Sequence, residues 1–222
     1  MDVTLAIEPT LRHAETHVNA NRHQRAVLDT DALFLQCPYM VNIFACDSDP
    51  VISAMYLDDK RLGKLAMEAT QLAQFAFDLG TDDGRLKPQV RVFTRVSKTY
   101  RDHGVARWTR RNVPNLCWLV VHADALLKNH TRAYGTLHAT SHVVTAIHDA
   151  LVDLGYKLEN EAQVHTEHHN SAANDGLGLN FKHLPVRRAY RTYLAARFHT
   201  DKRPATFKNR LTPQEVQGML HL

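Results

Sequence analysis

Residues 49–79 read DPVISAMYLDDKRLGKLAMEATQLAQFAFDL. Ile52, Met55, Leu62, Leu65, Ala66, Ala69, Leu72, Ala73 and Ala76 recur at helical spacing and mark one buried side. Asp49 can act as N-cap. Pro50 fits the first helical position, where its missing N–H has no intrahelical partner anyway. The pattern predicts one helix from about Val51 to Leu79. Gly63 inside it costs about 1 kcal/mol against Ala, which points to a close approach by a neighbour.

The text on either side is helical too. A second helix is expected over about Val105 to Tyr134, with Pro114 as a point of fracture. Asn112 or Asn115 can cap its second part, and Gly135 ends it as a C′ glycine does. A third is expected from Ser141 to Leu154, closed by Gly155, and a fourth from Val186 to Phe198. Thr212-Pro213-Gln214-Glu215 has capping-box spacing and opens a last short helix. Residues 157–184 are polar, rich in His, Asn and Gly, and read as irregular. Val41 to Cys46 is an apolar run with strand character, also short enough to be a buried lead-in. Gly80 to Gln89 reads as a loop, and Val90 to Val96 as a short strand or part of that loop. The expected class is all-α: a single helical domain over 40–222 with long irregular loops and little or no sheet.

Residues 1–39 read as an add-on. Thr4 to Gln24 is polar with weak helical periodicity, and Asp29 to Gln36 is a short apolar patch. Two readings stand: a native N-terminal helix, or text upstream of a functional start at Met40.

Composition bounds the rest. The chain has 222 residues, 44 % apolar and 23 % charged, which is ordinary for a globular protein and excludes a disordered one. No run of about 18 uncharged apolar residues exists, so neither a transmembrane helix nor a membrane partner is expected. Cys37, Cys46 and Cys117 show no CxxC pairing and suit a reducing cytoplasm as buried small hydrophobes. No secretory pattern opens the chain. The net charge of +4 is uneven: residues 1–39 hold three Arg and five acids, the remainder 24 bases and 18 acids. A basic body attracts polyanions, DNA or a nucleotide among them, though many proteins with no nucleic-acid role carry such a charge. Phosphate-loop, dinucleotide-binding, G-x-S-x-G and zinc-finger signatures are absent, and no cofactor is expected.

Three constellations can carry chemistry. Asp59, Lys60, Arg61, Lys64, Glu68 and Gln71 lie within the first helix. Lys60, Lys64 and Glu68 fall at i, i+4 and i+8 and share a face, with Gln71 beside Glu68. A carboxylate between cations can stabilise a developing oxocarbenium or move protons while the cations hold phosphate. The same stripe also reads as a solvated face with ion pairs. His165-x-x-His168-His169, with Glu167, partly meets metal-ligand spacing; it also reads as a polar loop or a phosphate contact. Arg107, Trp108, Arg110 and Arg111, then Arg187, Arg188, Tyr190, Arg191 and Tyr193, then Lys202, Arg203, Lys208 and Arg210, interleave bases with aromatics. That pattern suits phosphate contact and base stacking, or plain surface charge over core aromatics.

Several motifs together resemble a known family. Met40-Val41-Asn42-Ile43-Phe44, Asp47-Ser48-Asp49-Pro50 and Leu57 to Lys64 with Glu68 are similar to the opening of pyrimidine-dimer DNA glycosylase, or endonuclease V-like, proteins of bacteria and phages. Trp108 with Arg110, Asn115 with Trp118-Leu119, Arg132 to Gly135 with His138, Tyr190 to Tyr193 and Thr206 to Arg210 extend the resemblance over most of residues 40–211. It implies a compact all-α enzyme that cuts a glycosidic bond and nicks the abasic strand. It implies Glu68 as the catalytic glutamate, with Arg61-Leu62 where the family has a His-Leu step. It also implies an α-amine nucleophile at the mature N-terminus. Here residues 1–39 precede that point, so the amine belongs to a chain starting at Met40, or Lys60 or Lys64 takes its place, or the chemistry differs. DNA is expected to contact Arg61, Gln71, Arg107, Arg110, Arg111, Asn115, His138, Arg191, Lys208 and Arg210, with an exposed base resting on Trp108 or Tyr134. The rival expectations are an enzyme that modifies or transfers a nucleobase or nucleotide without strand cleavage, and a non-catalytic DNA-binding helical module.

Overall fold

The computed structural model describes residues 42–89 and 102–220. The chain divides into Met1–Tyr39 and Met40–Leu222, and every described residue lies in the second unit. The expectations for residues 1–39 and for Val90 to Val96 lie outside the described residues.

The unit is mainly α, as its periodicity predicts. Its helices are α1 (Pro50–Met55), α2 (Asp59–Leu79), α3 (Gly104–Arg110), α4 (Val113–Tyr134), α5 (Ser141–Asp153), α6 (Leu158–Gln163), α7 (Val186–Thr200) and α8 (Gln214–Leu220). α4 is the central element, and α1, α2, α5 and α6 all pack on it. Leu116, Trp118, Leu119 and Leu126 of α4 are fully buried, as are Leu62, Ala66, Ala69 and Ala73 of α2. Burying two such stripes against each other excludes apolar surface from water at about 25 cal/mol per Å².

The first predicted helix is two. Asp49 caps α1 by accepting from the Val51 and Ile52 amides at 2.8 and 2.9 Å. The chain then leaves helix at Tyr56–Asp58, where Tyr56 and Leu57 turn into the core. Asp58 restarts it in extended conformation. The Asp59 amide, an orphan of the new first turn, donates to the Thr206 carbonyl at 2.8 Å. A distant tail thus satisfies the break, which local periodicity does not register.

The second predicted helix also divides, into α3 and α4, just before Pro114. Asn112 caps α4, accepting from the Asn115 amide at 2.9 Å. Gly135 closes it in the left-handed region, φ 71°. At the end of α2, Gly80 has φ 75°, and a Cβ there would strike the backbone of residues 86–88.

Two further expectations are corrected. Residues 157–184 are not wholly irregular: Leu158 and Ala162, four apart and buried, anchor α6. Antiparallel β1 (Ala173–Asn174) and β2 (Leu179–Asn180) flank a 3₁₀ turn. Residues 42–46 form no strand. They are a buried lead-in between α2 and α7, with Phe44 against the rings of Tyr190 and Tyr193 at 5.6 Å. Among the described residues, no helix is long and apolar enough to cross a membrane.

Candidate functional site

Glu68 sits mid-way along α2 on the side that meets the lead-in. It is 3 % exposed. Its Oε2 accepts the Asn42 amide at 3.1 Å, and its Oε1 lies 3.3 Å from Lys64 Nζ. Burial raises its pKa; the Lys64 charge and the Asn42 N–H pull against that rise. Lys64 itself remains half exposed. One turn on, Gln71 is buried and its Oε1 has no hydrogen-bond partner among the described residues. A desolvated carboxylate beside a solvent-reaching ammonium and an unsatisfied amide oxygen is an arrangement suited to proton transfer.

The rest of the predicted stripe turns elsewhere. Lys60 Nζ pairs with Asp201 at 3.0 Å rather than facing Glu68. The Arg61 guanidinium bridges Asp58 and Asp201 at 2.7 and 2.6 Å. The Asp59 carboxylate receives Arg210 Nη2 at 2.9 Å, the Thr206 hydroxyl at 2.9 Å and the Lys208 amide at 3.0 Å. These donors occupy both of its oxygens, so Asp59 fastens the tail to α2. Arg210 is buried by the same contact, not open to DNA. Arg191 is likewise a clamp, bound to the Cys46 carbonyl, Asp47 and Glu215.

Tyr134 and His138 gather at Gly63, not at Glu68. The Tyr134 hydroxyl donates to the Asp59 carbonyl at 2.8 Å, and His138 Nδ1 lies 2.9 Å from Thr140 Oγ1. His130 lies between them, 4.7 Å from Tyr134 and 5.0 Å from His138 by ring centres. A Cβ on Gly63 would touch His130 and His138 at 3.7 and 3.8 Å, ordinary contact distances. The close approach expected there does not require glycine.

A separate cleft opens between α3 and residues 167–186. It holds about 550 Å³ and is lined by Arg107, Arg111, Glu167, His168, His169, Lys182 and the Leu184–Val186 wall, among others. Trp108 forms part of its floor but offers no stacking face. It is 2 % exposed, with His168 stacked on it at 4.4 Å and Trp118 edge-on at 5.9 Å. Asn115 brackets this floor rather than meeting ligand: its Nδ2 donates to the Trp108 carbonyl at 2.7 Å, and its Oδ1 accepts the Thr166 amide at 2.9 Å. Arg110 points away, to Asp82 at 2.7 Å.

The three histidines do not converge on a metal. His165 Nδ1 bonds the Ala162 carbonyl at 2.7 Å, and His168 is buried under Trp108. Burial pushes the His168 pKa down to about 2 and also lowers those of His165 and His169. Among the described residues no group of metal-ligating side chains could hold an ion. Sequence reasoning missed the Asn42 amide and Lys182. The first is a backbone group, and the second is a lone lysine in text that reads as loop.

Fold and site together define an all-α protein with a buried carboxylate at one place and an open basic cleft at another. No family model, curated protein or solved structure matches the chain.

Proposed function

We propose that the chain is a DNA base-processing enzyme, an N-glycosylase acting on damaged or modified pyrimidines in a reducing cytoplasm. One observation carries the reading: the Glu68 carboxylate is tied to the backbone amide of Asn42, two residues after Met40. Covalent geometry keeps the α-amine of a chain started at Met40 within about 7 Å of that amide nitrogen, or about 4 Å once that methionine is removed. An α-amine of pKa about 7.7–8.0 is partly free at neutral pH. Its lone pair forms the bond to sugar C1′ as the glycosidic bond breaks with its electrons on the base; Glu68 takes the proton the amine loses and passes it to the ring oxygen as the C1′–O4′ bond opens, leaving the imine that borohydride reduces. In the chain started at Met1, Lys64 supplies the amine at the same carboxylate. A purely DNA-binding module has no use for a desolvated carboxylate, which favours an enzyme. Exposed Arg107, Arg111 and Lys208 contact the strand phosphates.

The test incubates protein started at Met1 and at Met40 with ultraviolet-irradiated and untreated duplex DNA plus borohydride. A covalent adduct from wild type, lost in Glu68→Gln, is the expected result, and its dependence on the start identifies the amine. No adduct and no released base from either start would overturn the reading.

A second reading, nucleotide modification without strand cleavage, draws on the cleft at Arg107, which Glu68 does not line. Activity on free nucleotides and none on duplex DNA would select it.

A further inference from the structure

We propose that the cleft between α3 and residues 167–186 is a binding site for a nucleotide phosphate, separate from the Glu68 carboxylate. Its cations are unspent. Arg61, Arg110, Arg191, Arg197 and Arg210 are each tied to a carboxylate. Arg107, Arg111 and Lys182 have no side-chain hydrogen bond or ion pair among the described residues, and all three line this one cavity. An arginine bound to an aspartate is half of an internal fastening; three unpaired cations around one hollow are a counter-charge without its anion.

The placement is geometric. Arg107 and Arg111 lie four residues apart, one at mid-α3 and one just past its end, so both project from one face. Like charges at that spacing repel, and an anion between them relieves the repulsion. Lys182 approaches from the opposite strand-and-loop segment. Glu167 is the single carboxylate in the lining. A phosphomonoester carries about −1.5 to −2 charges at pH 7 and three acceptor oxygens, which suits two guanidinium forks and an ammonium.

The remaining walls point to more than bare phosphate. Leu184, Pro185 and Val186 form an apolar side against which a sugar or base can lie. Neutral His169 completes the rim, and below it the buried His168 Nε2 has no hydrogen-bond partner among the described residues. The volume of about 550 Å³ falls within the range of about 300–1,000 Å³ typical of small-ligand pockets. Gly104 shapes the same rim: a Cβ there would run into the His169 ring. A free nucleoside monophosphate and the 5′-terminal phosphate of a single strand present the same monoester, and the test separates these sources.

The experiment is titration calorimetry at one fixed salt concentration with thymidine 5′-monophosphate, inorganic phosphate, thymidine and a short single-stranded oligothymidylate bearing a 5′-phosphate. The proteins are wild type, Arg107→Ala/Arg111→Ala, Lys182→Ala, and Lys202→Ala/Arg203→Ala. The last removes the same charge from the exposed tail. Thymidine monophosphate is expected to bind saturably and thymidine not to bind. Affinity should fall about tenfold or more in the α3 double variant, given the strength of charge-assisted bonds, and less than about twofold in the tail variant. Binding of the oligonucleotide alone, with the same dependence on the variants, assigns the phosphate to a strand. Equal losses in the cleft and tail variants, thymidine binding as well as its phosphate, or no binding by any probe would overturn the proposal. All four altered positions in the double variants are exposed, so circular dichroism should show an unchanged fold. Glu68→Gln is expected to keep nucleotide binding, so the failure of one site is distinguishable from failure of the other.

Discussion

At the scale of single residues, burial sets the role proposed for Glu68 against stability. Its folded pKa lies above its unfolded one, so the unfolded chain binds fewer protons over that interval. Stability is therefore fully present below the unfolded pKa and is lost as pH rises through the folded one. Glu68→Gln removes the buried charge while an amide oxygen still accepts the Asn42 N–H. The expected outcome is a higher melting temperature at pH 7 together with loss of the proposed base release; a lower melting temperature counts against the burial argument. Carbon-detected NMR of the Glu68 carboxyl should titrate above the ordinary carboxylate range, and further up in Lys64→Ala, because Lys64 is the largest opposing influence. Gly63 offers a simpler test. Ordinary contacts await a methyl there, so Gly63→Ala should raise stability by about 1 kcal/mol in denaturant titration. A loss instead would show that His130 and His138 cannot take the contact.

At the scale of elements, the decisive fastening is between α2 and the tail. Asp59 and Arg210 bury each other, at 5 % and 1 % side-chain exposure. Removing one partner strands the other charge, so Asp59→Ala should destabilise by about 3–5 kcal/mol. Urea unfolding checks this, and a change below about 1 kcal/mol would place the pair in the weak class of surface bridges. The same contact explains what the sequence concealed. The stripe of Leu62, Leu65, Ala69 and Ala73 declares α2 by period alone, and Asn112 with Pro114 declares the start of α4. The break at Tyr56–Asp58 depends on Thr206 and Arg210, well over a hundred residues away. No window of local text contains that partner. The stripe Lys60–Lys64–Glu68 failed for the same reason: Asp201 draws Lys60 aside, and only Lys64 stays with Glu68.

At the scale of the whole molecule, buried neutral histidines set the acid limit. His122 is fully buried with Nδ1 2.9 Å from the Pro50 carbonyl oxygen, and burial lowers its pKa to about 4. The unfolded chain takes up a proton near the ordinary histidine pKa while the folded chain does not. Stability is therefore present above that value and falls as pH drops toward 4, by on the order of 3 kcal/mol for this group. His168 continues the loss toward about 2. Glu68 pulls the other way, one group against two. Melting temperature should drop steadily between pH 6.5 and 4.5, and a flat profile would contradict neutral burial. Of the candidate site, Glu68 and Arg107 with Arg111 were legible as charged residues at helical spacing. Which arginines are spent on internal carboxylates was not, since that is decided by tertiary pairing. Trp108 looked like a stacking platform because exposure leaves no mark in a short motif. Its burial has an optical consequence. The chain's two tryptophans, Trp108 and Trp118, share one layer with His168 and His122 directly beneath the basic cleft. All indole emission therefore originates from a single, water-shielded spot, giving the protein a native fluorophore whose colour and brightness register what happens at that one mouth.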